Sequence, residues 1–521
     1  MLEKYANKTL NISRKIKRRI KQKVITFVKK KTKKQNITNC LDDQILRIAI
    51  AEGGGLGDAI IQTTYIKEIR KLFNKKVVID FYSRPFSAFK DLPFIDNSYP
   101  YSDEHLLDSY DVYIESRRFY IVLKCNEEKV RLNSQQFLDF CNWCKSLTDK
   151  ILCGEYNDNL FSQYALLFGK NRIEQSDIQQ LIPVSRHTPT YCNVREDCIS
   201  FLDETKLTAN EYITINRGVD SKYGNEHPKL WPLPYYEALV TQLKAHYPSI
   251  KIVQIGATKG FSDINGVDIN LVGKTTLEET KVLLKYSLLH IDGEGGLVHL
   301  KRILNGKSVV LFGPTSTKIF AYEQNLNLKS DACPESCEWV TRNWTEGCLR
   351  GFNPPKCMQQ LDSTKVFSAV KNYLDSLPIF NYEGKWVKSY PEFNNKKIAC
   401  LSKDKRFWNL SDRNLIYIFD SSLNISKDSE LFYQAKERGV KLEFSSAYNV
   451  PSDDLEFDVV LFQDCNDKEI HPMAVMEALR ILKRGGDLYI PTNQVRIIQD
   501  LKFIINIPNE NISGLLKITK I

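Results

Sequence analysis

Three glycine-containing turns in this sequence have the residue types of a site for phosphate and sugar groups. The first reads Gly-Gly-Gly-Leu-Gly-Asp at residues 53–58, the second spans residues 292–299, and the third reads Gly-Pro-Thr-Ser at residues 313–316. The last two put glycines or small hydroxyl residues where an expected strand turns into a helix. Exposed backbone N–H groups and the helix dipole favour phosphate oxygens at such turns. Glu294, within the second turn, offers a carboxylate to sugar hydroxyls.

Two charged residues accompany these turns. Asp58 falls in the first turn of an expected helix, where the flanking glycines let another backbone or a substrate come close. The alternative is that Asp58 only caps the helix. Lys229 follows a strand and its loop, and open α/β sheets bind ligands at the carboxyl ends of their strands. There it could neutralise a diphosphate, although a single lysine is usually only a solvated charge.

Alternating strands and helices are predicted to position these turns. The predicted elements are the strands 46–51, 77–82, 112–115, 212–216, 252–255, 288–291 and 308–312 and the helices 59–73, 235–245, 276–286 and 297–304. Strands separated by helices of this length indicate parallel sheets that are covered on both faces. Two such domains leave a cleft in which a ligand can bind.

Taken together, the motifs resemble glycosyltransferase family 9, which includes the bacterial ADP-heptose heptosyltransferases. The matching segments occur in the family's order over residues 46–380: Gly57-Asp58, Lys229 to Pro232, Leu271 to Glu279, Glu294 to Leu300, and Leu311 to Thr315. The resemblance implies an α/β fold of the GT-B arrangement, in which two Rossmann-like domains face each other. It also implies inversion at the anomeric carbon without a catalytic metal.

The resemblance assigns roles to the matched residues. Asp58 would be the general base that deprotonates the acceptor hydroxyl, and Lys229 would hold the donor diphosphate. The resemblance favours ADP-heptose as the donor. Glu294, however, stands where the family often has Asp, and this difference leaves the donor sugar open. The expected donor-binding residues are Gly57, Asn216, Arg217, Glu294, Gly295, Gly296, His299, Gly313, Pro314 and Thr315.

The predicted function is inverting transfer of a sugar, with heptose favoured, from a nucleotide diphosphate to a hydroxyl. The acceptor is a glycan, a lipid-linked molecule or a protein, and a homo-oligomer is left open. The alternative is a non-catalytic scaffold that keeps the nucleotide-sugar fold and recruits partners. Loss of Asp58 or Lys229 would have favoured the scaffold, and both residues are present.

Four cysteines are predicted to form a separate structural site. Cys333, Cys337, Cys348 and Cys357 lie within 25 residues, with a spacing close to that of tetrahedral zinc or iron sites. The cluster also resembles the four-cysteine iron site of the autotransporter heptosyltransferases, which glycosylate serines on protein acceptors. We therefore predict structural iron or zinc, and the alternative is free or partly buried thiols.

The chain is predicted to contain five segments. They are a basic N-terminal segment 1–45, a Rossmann-like acceptor domain 46–205, a nucleotide-sugar-binding Rossmann-like domain 206–380, a linker 381–395 and a smaller Rossmann-like α/β domain 396–521. The last domain resembles the second half of class I methyltransferases through its segments 457–461 and 482–486. It lacks the glycine-rich loop that would seat the methionine-derived cofactor. A degenerate domain used for assembly or acceptor binding is therefore predicted.

The positive charge of the chain is concentrated at its N-terminus. Residues 1–36 contain fourteen Lys and Arg and one acid, which gives this segment a net charge of +13. Because the whole chain has a net charge of +10, the other 485 residues together carry about −3. Apolar residues recur there every three or four positions, which is typical of a basic amphipathic helix on an anionic membrane. The alternatives are a solvated arm or a subunit contact.

Several other functions and locations are not favoured by the composition. No nucleic-acid partner is predicted, because stacking aromatics are not interleaved with the basic residues. The sequence contains no apolar run of about 18 residues and no secretory signal, and its 13 cysteines do not suggest a disulfide framework. A cytoplasmic protein is expected, with peripheral contact to the inner face of the membrane as an option.

Overall fold

A computed structural model describes residues 45–73, 77–90, 92–101, 107–150, 161–162, 164–188, 192–218, 227–257, 263–333, 335–338, 340, 344–377, 382–387, 391–401, 405–419, 429–443, 445, 447–462, 470, 472–491 and 515–521. The predicted basic segment lies outside these residues except for Ile45. Within the described part, no helix is both long enough and apolar enough to cross a membrane.

The first sheet has five strands in the order β3-β2-β1-β4-β5. Its strands are β1 (Leu46–Glu52), β2 (Val77–Ser83), β3 (Asn97–Pro100), β4 (Val112–Ser116) and β5 (Tyr120–Cys125). Only β5 runs antiparallel to its neighbour. In β1 every residue except Arg47 is buried, as expected for a central parallel strand. The helices of this region are α1 (Leu56–Arg70), α2 (Glu127–Asn133), α3 (Gln135–Lys150) and α4 (Phe201–Glu204).

The second sheet has six parallel strands in the order β11-β10-β9-β6-β7-β8. They are β6 (Tyr212–Ile215), β7 (Lys251–Gln254), β8 (Ile269–Asn270), β9 (Leu289–Gly293), β10 (Ser308–Phe312) and β11 (Leu326–Lys329). This is the Rossmann order. Successive strands are added on one side of β6 as far as β8 and then on its other side from β9, and this switch leaves a ligand crevice at the carboxyl ends of β6 and β9. Its helices are α5 (Leu233–His246), α6 (Leu277–Tyr286), α7 (Gly296–Ile303), α8 (Thr317–Phe320), α9 (Lys356–Gln359) and α10 (Ser363–Asp375).

The third sheet has seven strands in the order β12-β18-β17-β16-β13-β14-β15. They are β12 (Tyr382–Val387), β13 (Lys397–Leu401), β14 (Leu415–Phe419), β15 (Lys441–Glu443), β16 (Phe457–Phe462), β17 (Leu482–Pro491) and β18 (Leu515–Lys520), with helices α11 (Ser429–Glu437) and α12 (Pro472–Ile481). Strand β18 pairs antiparallel with both β12 and β17. Residues 382–387, which fall in the predicted linker, therefore form the edge strand of this sheet.

The α/β fold with three Rossmann-like sheets is confirmed. The first two sheets share one hydrophobic core, in which Ile60 and Ile61 of α1 belong to the same buried cluster as Val298 and Leu300 of α7. Four of the six strands of the second sheet were predicted, because they alternate regularly with helices. The strands that were not predicted are β3, β5, β8, β11, β12, β13, β14, β15 and β18. Short strands, edge strands and a hairpin return carry little periodicity.

Candidate active site

The first and second turns meet where the N-termini of α1 and α7 come together. A side chain at Gly57 would collide with the His299 ring, because a Cβ there would lie 2.4 Å from His299 Cδ2. A Cβ at Gly296 would lie 3.1 Å from the Cβ of Leu56. Glycine is thus required at residue 57 and favoured at residue 296 by the close approach of two helices. The contact brings Asp58 of the first domain close to the second turn.

Asp58 is held by an arginine that is distant in sequence. Arg172 Nη2 donates a hydrogen bond to Asp58 Oδ1 at 2.7 Å, and the Arg172 side chain is only 4 % exposed whereas that of Asp58 is 39 % exposed. Asp58 does not cap α1, since Gly55 is the N-cap residue and the cap makes no side-chain hydrogen bond. The carboxylate of Asp58 is partly exposed and can therefore be reached by an acceptor.

The charges around Asp58 keep it ionised. Burial favours its neutral form, but the guanidinium groups of Arg172 and Arg118 hold the pKa of Asp58 well below its usual range. Two further donors of Arg172, Nε and Nη1, are buried without a hydrogen-bond partner among the described residues. An oxygen of the acceptor substrate or of the sugar donor could accept hydrogen bonds from these N–H groups.

Lys229 and Glu294 form an ion pair on the second-domain side of this contact. Lys229 Nζ donates to Glu294 Oε2, and His299 Nε2 lies 4.0 Å from Glu294 Oε1. Burial alone would lower the pKa of Lys229, but the carboxylates of Glu294 and Glu338 raise it above its usual value. Lys229 is thus a permanent cation, and its Nζ lies 5.7 Å from the ring centroid of Trp344.

His299 is neutral at physiological pH in this arrangement. Burial lowers the pKa of His299 to about 4, although Glu294 and Asp58 favour its charged form. Its Nδ1 shares a hydrogen bond with the hydroxyl of Tyr322. Consequently His299 contributes a polar imidazole rather than a positive charge beside Gly57.

Asn216 and Arg217 follow β6 at the point where the strand order reverses. Asn216 Nδ2 donates to Asp292 Oδ1 at 2.9 Å, and His290 Nε2 lies 3.3 Å from Asp292 Oδ2. This buried network fixes the amide of Asn216 next to β9. Arg217 is buried, and its Nε and Nη1 have no hydrogen-bond partner within the described residues. These two donors are available to an anion.

The third turn packs beneath the cysteine-rich segment. A Cβ at Gly313 would lie 2.7 Å from Met358 Sδ, and the carbonyl of Pro314 accepts hydrogen bonds from the backbone N–H groups of Cys337 and Glu338. Thr315 is buried, and its hydroxyl has no partner among the described residues. The turn therefore positions Glu338, whose carboxylate lies 4.0 Å from Arg118.

The four cysteines predicted to bind metal lie in one region. Burial and the thiols of Cys333, Cys337 and Cys348 raise the pKa of Cys357 to about 11. The donor set has the chemistry that zinc or iron prefers. Within the described residues, however, no group of three or more His, Cys, Asp or Glu is close enough to hold a metal ion. The thiols are neighbours but do not form a closed coordination site in this arrangement.

A separate cavity of about 1140 Å³ lies between elements of the second and third sheets. Charged residues from both domains line it, among them Lys285, Lys301, Glu477 and Arg480. None of the predicted site residues lines this cavity. The chemistry predicted for Asp58 and Lys229 therefore belongs to the contact between α1 and α7.

Sequence reasoning missed Arg172, Arg118 and Glu52. Arg172 lies in a stretch with weak periodicity, and no local signal distinguishes it from a solvated arginine. Arg118 follows β4 beside the central strand β1, where the strand order of the first sheet reverses. The rule that ligands bind at such reversals could have found it. Glu52 ends β1 and is only 3 % exposed.

Comparison with known proteins shows what the chain is similar to in sequence. The chain is 24 % identical over 319 residues to lipopolysaccharide heptosyltransferase 1 of Campylobacter coli, which covers 54 % of this chain and 88 % of the relative. No family model matches the chain.

Similar solved structures include ADP-heptose lipopolysaccharide heptosyltransferase II of E. coli, with a TM-score of 0.41, 13 % identity, and coverage of 63 % of this chain and 98 % of that one. A family 9 glycosyltransferase of Veillonella parvula gives a TM-score of 0.43 at 14 % identity, covering 66 % of this chain and all of that one. The iron-containing dodecameric glycosyltransferase TibC of enterotoxigenic E. coli gives 0.42 at 14 % identity, with 64 % and 78 % covered. The chain is therefore similar in sequence to a lipopolysaccharide heptosyltransferase, and it has the Rossmann-like sheets that the motif order of glycosyltransferase family 9 led us to expect.

Proposed function

We propose that this protein is an inverting glycosyltransferase that moves heptose from ADP-heptose to a hydroxyl of a glycan, lipid-linked or protein acceptor. The observation that carries the proposal is that an ionised, partly exposed Asp58 and the partly buried pair Lys229–Glu294 both lie near His299. One side supplies a base and the other supplies a cation, which is what a metal-free displacement of a diphosphate requires.

The proposed reaction is a single displacement. Asp58 accepts the proton of the acceptor hydroxyl while that oxygen forms a bond to the anomeric carbon. The bond from this carbon to the diphosphate breaks on the opposite face, and the diphosphate leaves with the electron pair. Lys229 and the backbone N–H groups at the start of α7 stabilise the charge that develops on the leaving oxygens.

The donor is proposed from two kinds of support. The sequence relative is a lipopolysaccharide heptosyltransferase, which favours a heptose donor. At the carboxyl end of β6, the half-buried Asn216 provides an amide and the buried Arg217 provides two unpaired guanidinium donors for the nucleotide or its phosphates. The remaining proposed contacts are made by Gly57, Glu294, Gly295, Gly296, His299, Gly313, Pro314 and Thr315.

The test is donor turnover by the purified full-length chain. ADP- and UDP-sugars including ADP-heptose are supplied with candidate acceptors, and nucleotide release is compared among the wild type, Asp58→Asn and Asp375→Asn. We expect release from ADP-heptose by the wild type and by the Asp375→Asn control, whose carboxylate is exposed on α10. Asp58→Asn should be slower by about 10²- to 10⁴-fold. Inversion is checked by the anomeric configuration of the product.

A non-catalytic scaffold is the alternative that this experiment addresses. A scaffold would bind ADP-heptose without releasing ADP in the presence of any acceptor, and Asp58→Asn would bind it equally well. Equal slow release by the wild type and Asp58→Asn would also reject Asp58 as the base.

We further propose a structural iron or zinc ion held by Cys333, Cys337, Cys348 and Cys357. The support is the thiol donor set and the proximity of Cys357 to the other three thiols. A bound ion would fix the segment that carries Glu338, which lies near Lys229 and Arg118. Its role would be structural, because the proposed displacement uses no metal.

Peripheral membrane contact by the basic residues 1–36 is also proposed from their charge. The full-length protein should sediment with vesicles that contain anionic lipid, and deletion of these residues should abolish that sedimentation. Neutral vesicles should retain neither the full-length nor the truncated protein. Sedimentation of the truncated protein with anionic vesicles would reject this assignment.

A further inference from the structure

Glu52 is a buried carboxylate at the carboxyl end of the central strand β1. It is only 3 % exposed, its Oε1 accepts a hydrogen bond from the backbone N–H of Gly54 at 2.7 Å, and its Oε2 accepts one from Ser116 Oγ at 2.8 Å. Strand β1 and its neighbour β4 thus hold both oxygens in place. An acidic side chain so deep in a parallel sheet is rare unless it is paired.

The absence of a side chain at Gly54 lets Glu52 and Asp58 come close to each other. A Cβ at this position would lie 2.6 Å from Asp58 Oδ2 and 2.9 Å from Glu52 Oε1. The two carboxylates therefore border the same small space at the start of the first turn. Like charges at such separations oppose each other's ionisation.

Arg172 is the cation that both carboxylates face. It donates to Asp58, and the charges of Asp58 and Glu52 both raise the pKa of its guanidinium. The other charged or titratable groups that act on Asp58 are Arg118 and His299. Burial and the charge of Asp58 raise the pKa of Glu52 to about 7, while Arg172 and the two hydrogen bonds oppose this rise.

We propose that Glu52 is a positioning residue that sets the proton affinity of Asp58 in the transfer reaction, and this inference rests on the proposed function. When Glu52 is neutral, Arg172 stabilises the Asp58 carboxylate alone and makes it a weak base. When Glu52 is ionised, a second negative charge shares Arg172 and makes Asp58 a stronger base. Glu52 itself touches no substrate in this scheme.

The sign of the pH effect follows from this pair. Raising the pH through the ionisation of Glu52 adds negative charge beside Asp58, so the rate of proton abstraction should increase. At the usual Brønsted sensitivity, a stronger base of this kind corresponds to an increase of about three- to tenfold in rate. The rise should disappear when residue 52 cannot ionise.

The experiment measures kcat/KM for ADP release from about pH 6 to about pH 8 in the wild type, Glu52→Gln, Glu52→Asp and Glu115→Gln. We expect kcat/KM of the wild type to rise by about three- to tenfold over this range. Glu52→Gln should stay at the low-pH level with an unchanged donor KM, and Glu52→Asp should restore a rise. Glu115 lies on β4, where it pairs in register with Ala51 of β1, and it forms an ion pair with Arg117. Glu115→Gln is therefore the matched control and should keep the wild-type profile.

The possible outcomes separate this inference from the proposed function. A Glu52→Gln profile that still rises like the wild type would overturn the role of Glu52 while leaving the transferase intact. Absence of turnover in the wild type would instead overturn the proposed function and the inference with it. Infrared titration checks the assignment directly, because the protonated carboxyl band that titrates near neutral pH should be present in the wild type and in Glu115→Gln and should be missing from Glu52→Gln.

Discussion

Arg172 Nη2 and Asp58 Oδ1 are 2.7 Å apart although the two residues are separated by 114 positions in the chain. This bond fixes the carboxylate beside the contact between α1 and α7 and keeps it ionised. Asp58, the proposed base, is thus held by Arg172, a residue that belongs to none of the sequence motifs.

Replacement of Arg172 by methionine should raise the pKa of Asp58, because burial and Glu52 are then no longer opposed by the guanidinium. A raised pKa leaves Asp58 protonated over more of the acid range. We expect kcat/KM to fall at least about tenfold near pH 6 and less near pH 8. Arg172→Lys should retain more activity, and Arg195→Met, at an exposed ion pair, is the control. A uniform loss at all pH values would argue against this explanation.

The pair Lys229–Glu294 should be important for both stability and donor use. Lys229→Met leaves Glu294, which is 10 % exposed, without its cation and should reduce the free energy of unfolding by about 3–5 kcal/mol. The double variant with Glu294→Gln should recover part of this loss, with a coupling energy of about 1–3 kcal/mol. Both variants should lose about 10²- to 10³-fold in kcat. Urea unfolding and ADP release measure the two effects, and strict additivity would contradict the pairing.

The third domain should be held to the second by a buried ion pair. Lys285 Nζ lies 2.7 Å from Glu477 Oε2, with side chains 5 % and 2 % exposed, and Arg480 also contacts Glu477. Glu477→Ala should reduce the free energy of unfolding by about 3–5 kcal/mol. Asp375→Asn, which breaks an exposed pair with Lys371, should cost less than about 1 kcal/mol.

The same pair predicts how stability depends on acid. Arg480 and Lys285 overcome the effect of burial and lower the pKa of Glu477 to about 2 from an ordinary value of 4.5. Its contribution to stability is therefore complete above about pH 4.5 and is lost as the pH falls towards 2. Glu477→Gln should lack this part of the acid dependence in urea unfolding curves. An unchanged acid dependence would show that the ion pair is not formed in solution.

Purified protein should contain about one iron or zinc ion per chain if the four cysteines coordinate a metal. Cys348→Ser should lose this metal and unfold at a lower temperature. Cys198→Ser removes a thiol outside the cluster and should leave the metal content unchanged. Mass spectrometry of the metals tests this directly. Metal-free wild-type protein, or equal metal in Cys348→Ser, would leave the thiols without a ligand role.

Much of the site could be predicted because its signals are local. Glycines that allow a close approach, as at Gly57, and apolar strands that alternate with helices leave a pattern within a few neighbouring residues. The positions of Asp58 at the first turn and of Glu294 at the second follow from that pattern. Strands β6, β7, β9 and β10 of the second sheet differ from the predicted ones by at most two residues at either end.

The sequence by itself therefore determined the α/β units, the turns between strands and helices, and the residue types that we propose for a donor diphosphate site. Only the tertiary structure decided that Arg172 pairs with Asp58, that Glu52 lies beside the same carboxylate, and that Glu477 joins the third domain to Lys285. The physical reason is that the state of a charged group depends on its burial and on partners brought near by folding. Neither property is encoded in the residues next to it in the chain.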